Sequence, residues 1–531
     1  MLSARSETNT IRSINPATLE EVGKIAVTPP KSVESRVRLA RQGFTEWRSR
    51  TLTERAGILS TVQKNLLDRK DELARLIVLE MGRPYVESVA LELQASVDLV
   101  GYYARRASHF LDDRRVPLHS LFFMRRQSRV HFEPLGVLGI ICPWNWPMLI
   151  PLGGLVPALL AGNAVVFKPS ELTPLVGERI RRVFVESGVP EPVFQVVQGS
   201  ASVGKALVES GVEKVFFTGS TQVGQQVMEH ASRSLKKVVL EMGGSDPAVV
   251  CEDADLDIAS SGLVWGAFCN CGQNCNGVER IYAHEKIAGP LVEAMTRKME
   301  KIRVGNGLDL DTDMGPLASG KQLKKIKKYV SHAEKAGARC LTGGAVPEGA
   351  KGYFYPPTLI LWDRSLGSLP DEEIFGPVVV MTPVSNDEEA IDLANRSRFG
   401  LASSVWTEDV RRGKRLARQL EAGTVMINDV IVSFGMQEAG WTGIKESGIG
   451  WVHGEKGLDE MVNIKYINRD PMSHSHKFWW FPYTGRMARA MDVGMNFLFH
   501  RRFGRRLSGM MRSLPYFASY LLRNRPKKEK L

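Results

Sequence analysis

Between Gly136 and Gly244 the chain alternates short apolar runs with stretches long enough to form a helix. This pattern constrains the fold more than any other feature. The runs are Val137 to Ile141, Ala164 to Phe167, Val193 to Val197, Val215 to Phe217 and Val238 to Leu240. They lack the apolar/polar alternation of a strand with one wet face. Strands of this kind are buried on both sides, as in a parallel sheet covered by crossover helices. The predicted class is therefore α/β. A second α/β unit is expected just after Gly244, with strands at Pro247 to Val250, Glu279 to Tyr282, Val378 to Met381 and Val405 to Thr407. Met426 to Asn428 would close it, and helices are expected around 287–302 and 387–396. Residues 31–110 read as mostly helical. Thr51 and Glu54 have capping-box spacing, and Gly82 with Pro84 marks a helix stop.

Composition matters mainly through location. The net charge of +12 would suggest a nucleic acid or an anionic surface, but residues 484–531 hold twelve Lys or Arg and only two acids. The preceding body is close to neutral and has no zinc-finger, RNA-binding or helix-turn-helix signature, so no nucleic-acid partner is expected. The chain has 531 residues and six cysteines, three of them bunched together, and its N-terminus lacks a signal-peptide pattern. A reducing, cytoplasmic setting fits better than a disulfide framework.

Two segments carry chemistry. One is Cys269-Asn270-Cys271-Gly272-Gln273-Asn274-Cys275; the other is Glu241-Met242-Gly243-Gly244. A thiol nucleophile and a carboxylate base form a workable pair for covalent catalysis. The residues alone leave open a buried structural cysteine or a metal ligand. No Cys/His cluster accompanies the three thiols, so no metal site is expected. For the carboxylate, a solvated helix cap is the bland alternative.

These segments belong to an ordered set. Pro143-Trp144-Asn145-Trp146-Pro147, Lys168-Pro169-Ser170-Glu171, Phe217-Thr218-Gly219-Ser220-Thr221, Glu241-Met242-Gly243-Gly244, Gly272-Gln273-Asn274-Cys275 and Glu373-Ile374-Phe375-Gly376-Pro377 follow one another along the chain. The set resembles the NAD(P)-dependent aldehyde dehydrogenase superfamily over roughly residues 10–470. The resemblance implies a modified Rossmann-like cofactor domain at 1–110 and 134–243 and an α/β catalytic domain at 244–440. It also implies a small strand-rich oligomerisation extension at 111–133 and 457–472, with assembly as a homodimer or homotetramer.

The resemblance further implies roles. Cys275 is the nucleophile, Glu241 the general base, and Asn145 the side-chain half of the oxyanion hole. Trp144, Lys168, Glu171, Gly219, Ser220, Glu373 and Phe375 line the cofactor site. Glu171 would bind ribose hydroxyls and repel a 2′-phosphate, so NAD is the expected cofactor, with NADP possible. The implied reaction is oxidation of an aldehyde to a carboxylate with hydrolytic deacylation. Phosphorylating or CoA-dependent acyl transfer is the nearer alternative, and a non-enzymatic binding protein the distant one. One segment departs from the pattern. Gly440-Trp441-Thr442-Gly443 stands where many members have Pro-Phe-Gly-Gly, and Trp451 replaces a frequent Arg.

Residues 477–531 form a basic, aromatic appendage. Phe478, Trp479, Trp480 and Phe481 begin it; Met487, Met491, Met495, Leu498 and Phe499 recur near helical spacing among arginines. An amphipathic segment lying on an anionic membrane surface is expected, and would make the protein peripheral on the cytoplasmic face. A tail packed on a partner subunit is the alternative.

Overall fold

The computed structural model describes residues 10–120, 123, 125–346, 349, 351–367, 369, 371–471, 477, 479–499, 504, 507–512 and 514–515. The apolar runs form a six-stranded sheet. Its order is Gly448–Ile449, Lys237–Glu241, Lys214–Thr218, Val137–Ile141, Ala164–Lys168 and Phe194–Val196. The first strand is antiparallel and the other five are parallel. Every residue of Val137–Ile141 and Ala164–Lys168 is buried, which explains the missing alternation. The register aligns their ends. Ile141 faces Lys168 on one side and Phe217 on the other, and Thr218 faces Glu241.

A seven-stranded sheet follows. Its order is Arg339–Thr342, Thr358–Leu361, Val378–Val384, Val278–His284, Asp246–Val250, Ala402–Trp406 and Thr424–Ile427, antiparallel only at the first strand. Helices Glu285–Met299 and Asp387–Asn395 lie where helices were expected. The strand expected at Val405 to Thr407 instead ends at Trp406. Asn428 falls outside its strand because its φ of 56° is left-handed, which an extended ladder does not tolerate. The two outermost strands before Val378 escaped the sequence reading.

Local signals explain several boundaries. Thr51 accepts from the Glu54 N–H while the Glu54 carboxylate accepts from the Thr51 N–H, so both halves of the capping box form at helix Leu52–Asp68. Helix Lys70–Met81 stops at Gly82, whose φ is 79°. A Cβ there would come within 2.5 Å of Pro316, so glycine is required by conformation and by space.

The chain divides into two units, 1–112 with 132–464 and 113–131 with 465–531. Both large sheets belong to the first, each with its own apolar core. The second contains most of a three-stranded sheet, ordered Val462–Arg469, Gln127–Pro134 and Arg114–Arg115, together with helix Gly485–Phe499. Among the described residues, no helix is long and apolar enough to cross a membrane. Phe478 and residues 516–531 of the expected tail, and Leu121, Phe122, Met124 and Met472 of the extension, lie outside the described residues.

Candidate active site

Four adjacent parallel strands of the first sheet end along one edge, and most of the expected site residues follow those ends. Trp144 and Asn145 follow Val137–Ile141, and Lys168 closes Ala164–Lys168 with Glu171 just beyond. Gly219 and Ser220 follow Lys214–Thr218, and Glu241 closes Lys237–Glu241. Ligands of open parallel sheets bind at this carboxyl edge. Cys275 and the pair Glu373 and Phe375 arrive from the second sheet, just before strands Val278–His284 and Val378–Val384. Gly243 and Gly244 make the junction. A Cβ on Gly243 would lie 2.5 Å from the Glu373 carboxyl, and one on Gly244 would lie 2.8 Å from the Cys275 carbonyl oxygen. Glycine is needed there because the base strand runs directly against both loops.

Cys275 follows a left-handed turn. Asn270, Cys271 and Gly272 have φ of 52°, 56° and 65° in succession, a costly arrangement for the first two. Neighbouring bonds hold it. The Glu87 carboxyl accepts from the Asn270 N–H at 3.0 Å. The Asn270 amide donates to the Asn145 carbonyl at 3.1 Å, and the Gln273 amide donates back to the Asn270 carbonyl at 3.0 Å. A Cβ on Gly272 would sit 2.1 Å from the Gly376 carbonyl oxygen, so this glycine lets the Cys275 loop touch the Phe375 loop.

A buried charged cluster, absent from the sequence reading, ties these loops together. Arg83 and Glu92 are both fully enclosed and paired at 2.8 Å. Arg83 also donates to the Asn145 carbonyl and lies 4.2 Å from the Trp146 ring centre. Glu92 accepts from the N–H groups of Met148 and Leu149, satisfying the start of helix Leu149–Leu160. Glu87 precedes a π-helical turn, Ser88–Leu93, and Glu92 lies within it, a geometry common at functional sites. The signal in the sequence was an arginine and two glutamates within an otherwise apolar segment.

Asn145 is buried, and its amide donates to the Gln273 carbonyl at 3.2 Å. A primary amide has two N–H bonds, so one more can be directed at a substrate oxygen. Glu241 is buried at the edge of its strand. Its Oε2 accepts from the Trp441 indole N–H at 2.9 Å, and its Oε1 has no partner among the described residues. Burial pushes its pKa well above the carboxylate range, and the indole bond opposes that shift. Burial also pushes the Cys275 thiol up. The nearby carboxyls of Asp246, Glu241 and Glu373 act in the same direction.

The expected cofactor residues form a separate group, none of them lining the cavity that Cys275 lines. Lys168 is buried, with its ammonium 3.8 Å from the Glu171 carboxylate, and burial lowers its pKa. Ser220 caps helix Thr221–Ser232 in extended geometry but makes no side-chain cap bond, leaving its hydroxyl and the helix-start N–H groups to face an anion. Trp144 and Phe375 meet edge to face, with centroids 5.5 Å apart. Glu373 is pushed up to about 8 by burial and by the neighbouring Glu279 carboxyl. Glu279, missed in the sequence, accepts from the N–H groups of Ile374 and Phe375 at 2.9 and 2.8 Å and so shapes that loop. A buried ammonium, a free helix start and the partly buried Glu373 with the half-exposed Glu171 suit a dinucleotide with phosphates and ribose hydroxyls.

A cavity of about 670 Å³ includes Cys275 in its wall. Its lining includes Val89, Leu91, Leu93, Trp146, Leu149, Ile150, Trp265, Phe434, Met436 and Cys275. Gln63, Lys70, Gln94, Asp98 and Arg105 contribute its polar groups. Cys269 and Cys271 are buried and do not line it. Among the described residues, no group of acidic, His or Cys side chains could hold a metal ion.

Residues 3–467 match the sequence profile of the aldehyde dehydrogenase family. A 4,4'-diapolycopene aldehyde oxidase from Methylomonas sp is 35% identical over 481 residues, covering 90% of this chain and 88% of that protein. The NAD+ complex of an aldehyde dehydrogenase from Bacillus cereus is 34% identical, with a TM-score of 0.81 over 87% of this chain and 93% of that one. An NADP-dependent enzyme from E. coli is 32% identical, with a TM-score of 0.82 over 87% of this chain and 94% of that one.

Proposed function

The chain belongs to the aldehyde dehydrogenase family, and on that premise we propose that Cys275 is its nucleophile, Glu241 its general base and Asn145 its oxyanion donor. The family reaction is NAD(P)-dependent oxidation of an aldehyde through a cysteine-bound thiohemiacetal and thioester. One observation carries the assignment to Cys275. Of the three bunched thiols, it alone opens onto the cavity.

The proposed roles combine into one reaction. Cys275 attacks as the thiolate, its proton passing to solvent water, and Glu241, a carboxylate made more basic by burial, serves the water of the second half-reaction. The sulfur bonds to the aldehyde carbon, and the carbonyl electron pair moves to oxygen. The Asn145 amide and the Cys275 N–H donate to that oxyanion. A bound dinucleotide would supply the hydride acceptor; as hydride leaves the former aldehyde carbon, the oxygen electron pair re-forms the C=O bond and the thioester results. Lys168, Ser220 and Glu373 would hold the dinucleotide, with Trp144 and Phe375 packing beside it. Water then adds to the thioester carbon while Glu241 Oε1 takes its proton. The C–S bond breaks, releasing carboxylate and restoring Cys275.

We assign a long apolar aldehyde as substrate. Support comes from the cavity's aliphatic and aromatic lining and from a relative whose name specifies a diapolycopene aldehyde. NAD is the preferred cofactor, because the Glu171 carboxylate stands beside Lys168 where a 2′-phosphate would be repelled. Self-association through the edge strand Val462–Arg469 fits its position in the sheet and its exposed Tyr466 and Ile467. The tail is read as a peripheral anchor on an anionic membrane facing the cytoplasm. Trp480, Phe481 and Tyr483 are exposed, and Met491, Met495 and Phe499 form an exposed apolar stripe at four-residue spacing.

The test is an aldehyde panel offered with NAD or NADP, with the acid product identified. The reading expects kcat/KM to rise with apolar chain length and free acid to form without phosphate or CoA. Preference for a short, charged aldehyde would contradict the substrate assignment. Co-sedimentation with anionic vesicles, weakened by salt and by deletion of 477–531, tests the anchor.

A further inference from the structure

We propose that Trp441 is a positioning residue for Glu241: its indole N–H anchors one carboxyl oxygen and leaves the other to meet the deacylating water. The proposal rests on Glu241 being the base. It concerns the position where the sequence departs from the resembled pattern, with tryptophan in place of phenylalanine. Phenylalanine has the ring but no donor.

The contact is well built. The indole nitrogen stands 2.9 Å from Glu241 Oε2, and both side chains are buried. Oε1 is enclosed without a partner among the described residues, so the two oxygens are inequivalent. The indole has little freedom. Its ring meets Phe434 edge to face at 5.3 Å, and the Trp441 backbone exchanges bonds of 2.7 and 2.8 Å with Val452. The same segment is fastened to the base strand. Gly448 pairs with Glu241, the Met242 N–H donates to the Ser447 carbonyl at 2.8 Å, and the Ser447 hydroxyl donates to the Gly243 carbonyl at 2.8 Å. Carboxyl and donor are therefore held in register by backbone as well as by side chains.

The surroundings give the indole leverage on ionisation. The Cys275 thiol faces Glu241, and Asp246 and Glu373 face that thiol. The flanking strands place Thr218 and Gly448 opposite Glu241, neither of them charged. Beyond Phe434 lies His453, which burial keeps neutral by lowering its pKa to about 3. Among the described residues, the Trp441 N–H is thus the one neighbour that favours the charged carboxylate against burial. Removing it raises the Glu241 pKa further, so less base is available at a given pH.

The experiment compares Trp441→Phe with the unaltered protein, reading the pre-steady-state NADH burst for acylation and thioester hydrolysis as a function of pH. Phenylalanine retains the ring contact with Phe434. The expected result is an intact burst, an acid limb of hydrolysis moved up by about one pH unit, and hydrolysis about 10-fold slower below that limb. In a Glu241→Gln background the same substitution is expected to change hydrolysis less than about twofold, because the partner is already lost. An unmoved limb, or equal slowing in both backgrounds, overturns the proposal. Glu241→Gln alone separates the two readings. If it leaves hydrolysis unchanged, the base assignment itself fails; if it slows hydrolysis while Trp441→Phe does not, only the anchoring role fails.

Discussion

The two groups of residues that meet at Cys275, the expected cofactor residues and the cavity wall, are built from different materials. The residues expected to hold the cofactor comprise a buried ammonium, a helix start and partly buried carboxyls. The cavity proposed for the aldehyde is lined mainly by aliphatic and aromatic side chains, with Lys70, Asp98 and Arg105 among its polar members. Fixed charges and aimed donors recognise a ligand by its polar groups, and removing one leaves a partner unpaired. An apolar wall ranks ligands by how much surface they bury, roughly 25 cal/mol per Å². On the proposed reading, the first group recognises a dinucleotide by its polar groups, while the second grades a series of aldehydes.

The largest effect is expected where the two groups meet. Cys275→Ala should reduce dehydrogenation by about 10⁴-fold or more, while dinucleotide titration shows binding largely retained. Cys269→Ala and Cys271→Ala should keep most activity. Near-normal turnover by the Cys275 variant would remove the boundary on which the comparison depends.

Next is Glu241→Gln, which keeps the shape and removes the base. Thioester hydrolysis should fall by about 10²–10⁴-fold. The unaltered enzyme should lose hydrolysis as pH falls through a limb above the ordinary carboxylate range, since burial raises the Glu241 pKa and only the ionised form is a base. That limb should vanish in the glutamine variant. Its persistence would assign the titration to another group.

The apolar group is sharpened by Leu91→Ser in the cavity wall. Losing part of a leucine's contact should lower kcat/KM for a long aldehyde by about 3- to 10-fold and leave a short one nearly unchanged. Equal losses for both would mean the wall supports the fold rather than the substrate. An effect of similar size is expected on cofactor choice. Glu171→Ala should narrow the NAD/NADP ratio of kcat/KM by about 3- to 10-fold, because repulsion of the 2′-phosphate is relieved while ribose contacts weaken. An unchanged ratio would place the discrimination elsewhere.

The same contrast explains what the sequence disclosed. Strands buried on both faces are visible as apolar runs, so Val137–Ile141 and Ala164–Lys168 could be read directly. The resemblance named Cys275, Glu241 and Asn145 because each sits in a recognisable motif, but it did not supply their surroundings. Arg83, Glu87 and Glu92 read in isolation as solvent-facing charges, and only the fold encloses them. Glu279 and Trp441 act through bonds to residues 95 and 200 positions away, a separation that no local pattern encodes. The left-handed turn at Asn270 to Gly272 was partly visible in its Asn and Gly, yet Cys271 gave no hint of a positive φ.

The central claim is that the aldehyde becomes an acyl group on Cys275, where the two groups of residues meet. The most direct measurement is peptide mass mapping of the Glu241→Gln protein, acid-quenched after one turnover with NAD and a long apolar aldehyde. The account predicts one acyl adduct on the peptide containing Cys275, localised to that residue by fragmentation. An adduct on Cys269 or Cys271, or NADH release with no adduct on any cysteine, would contradict it.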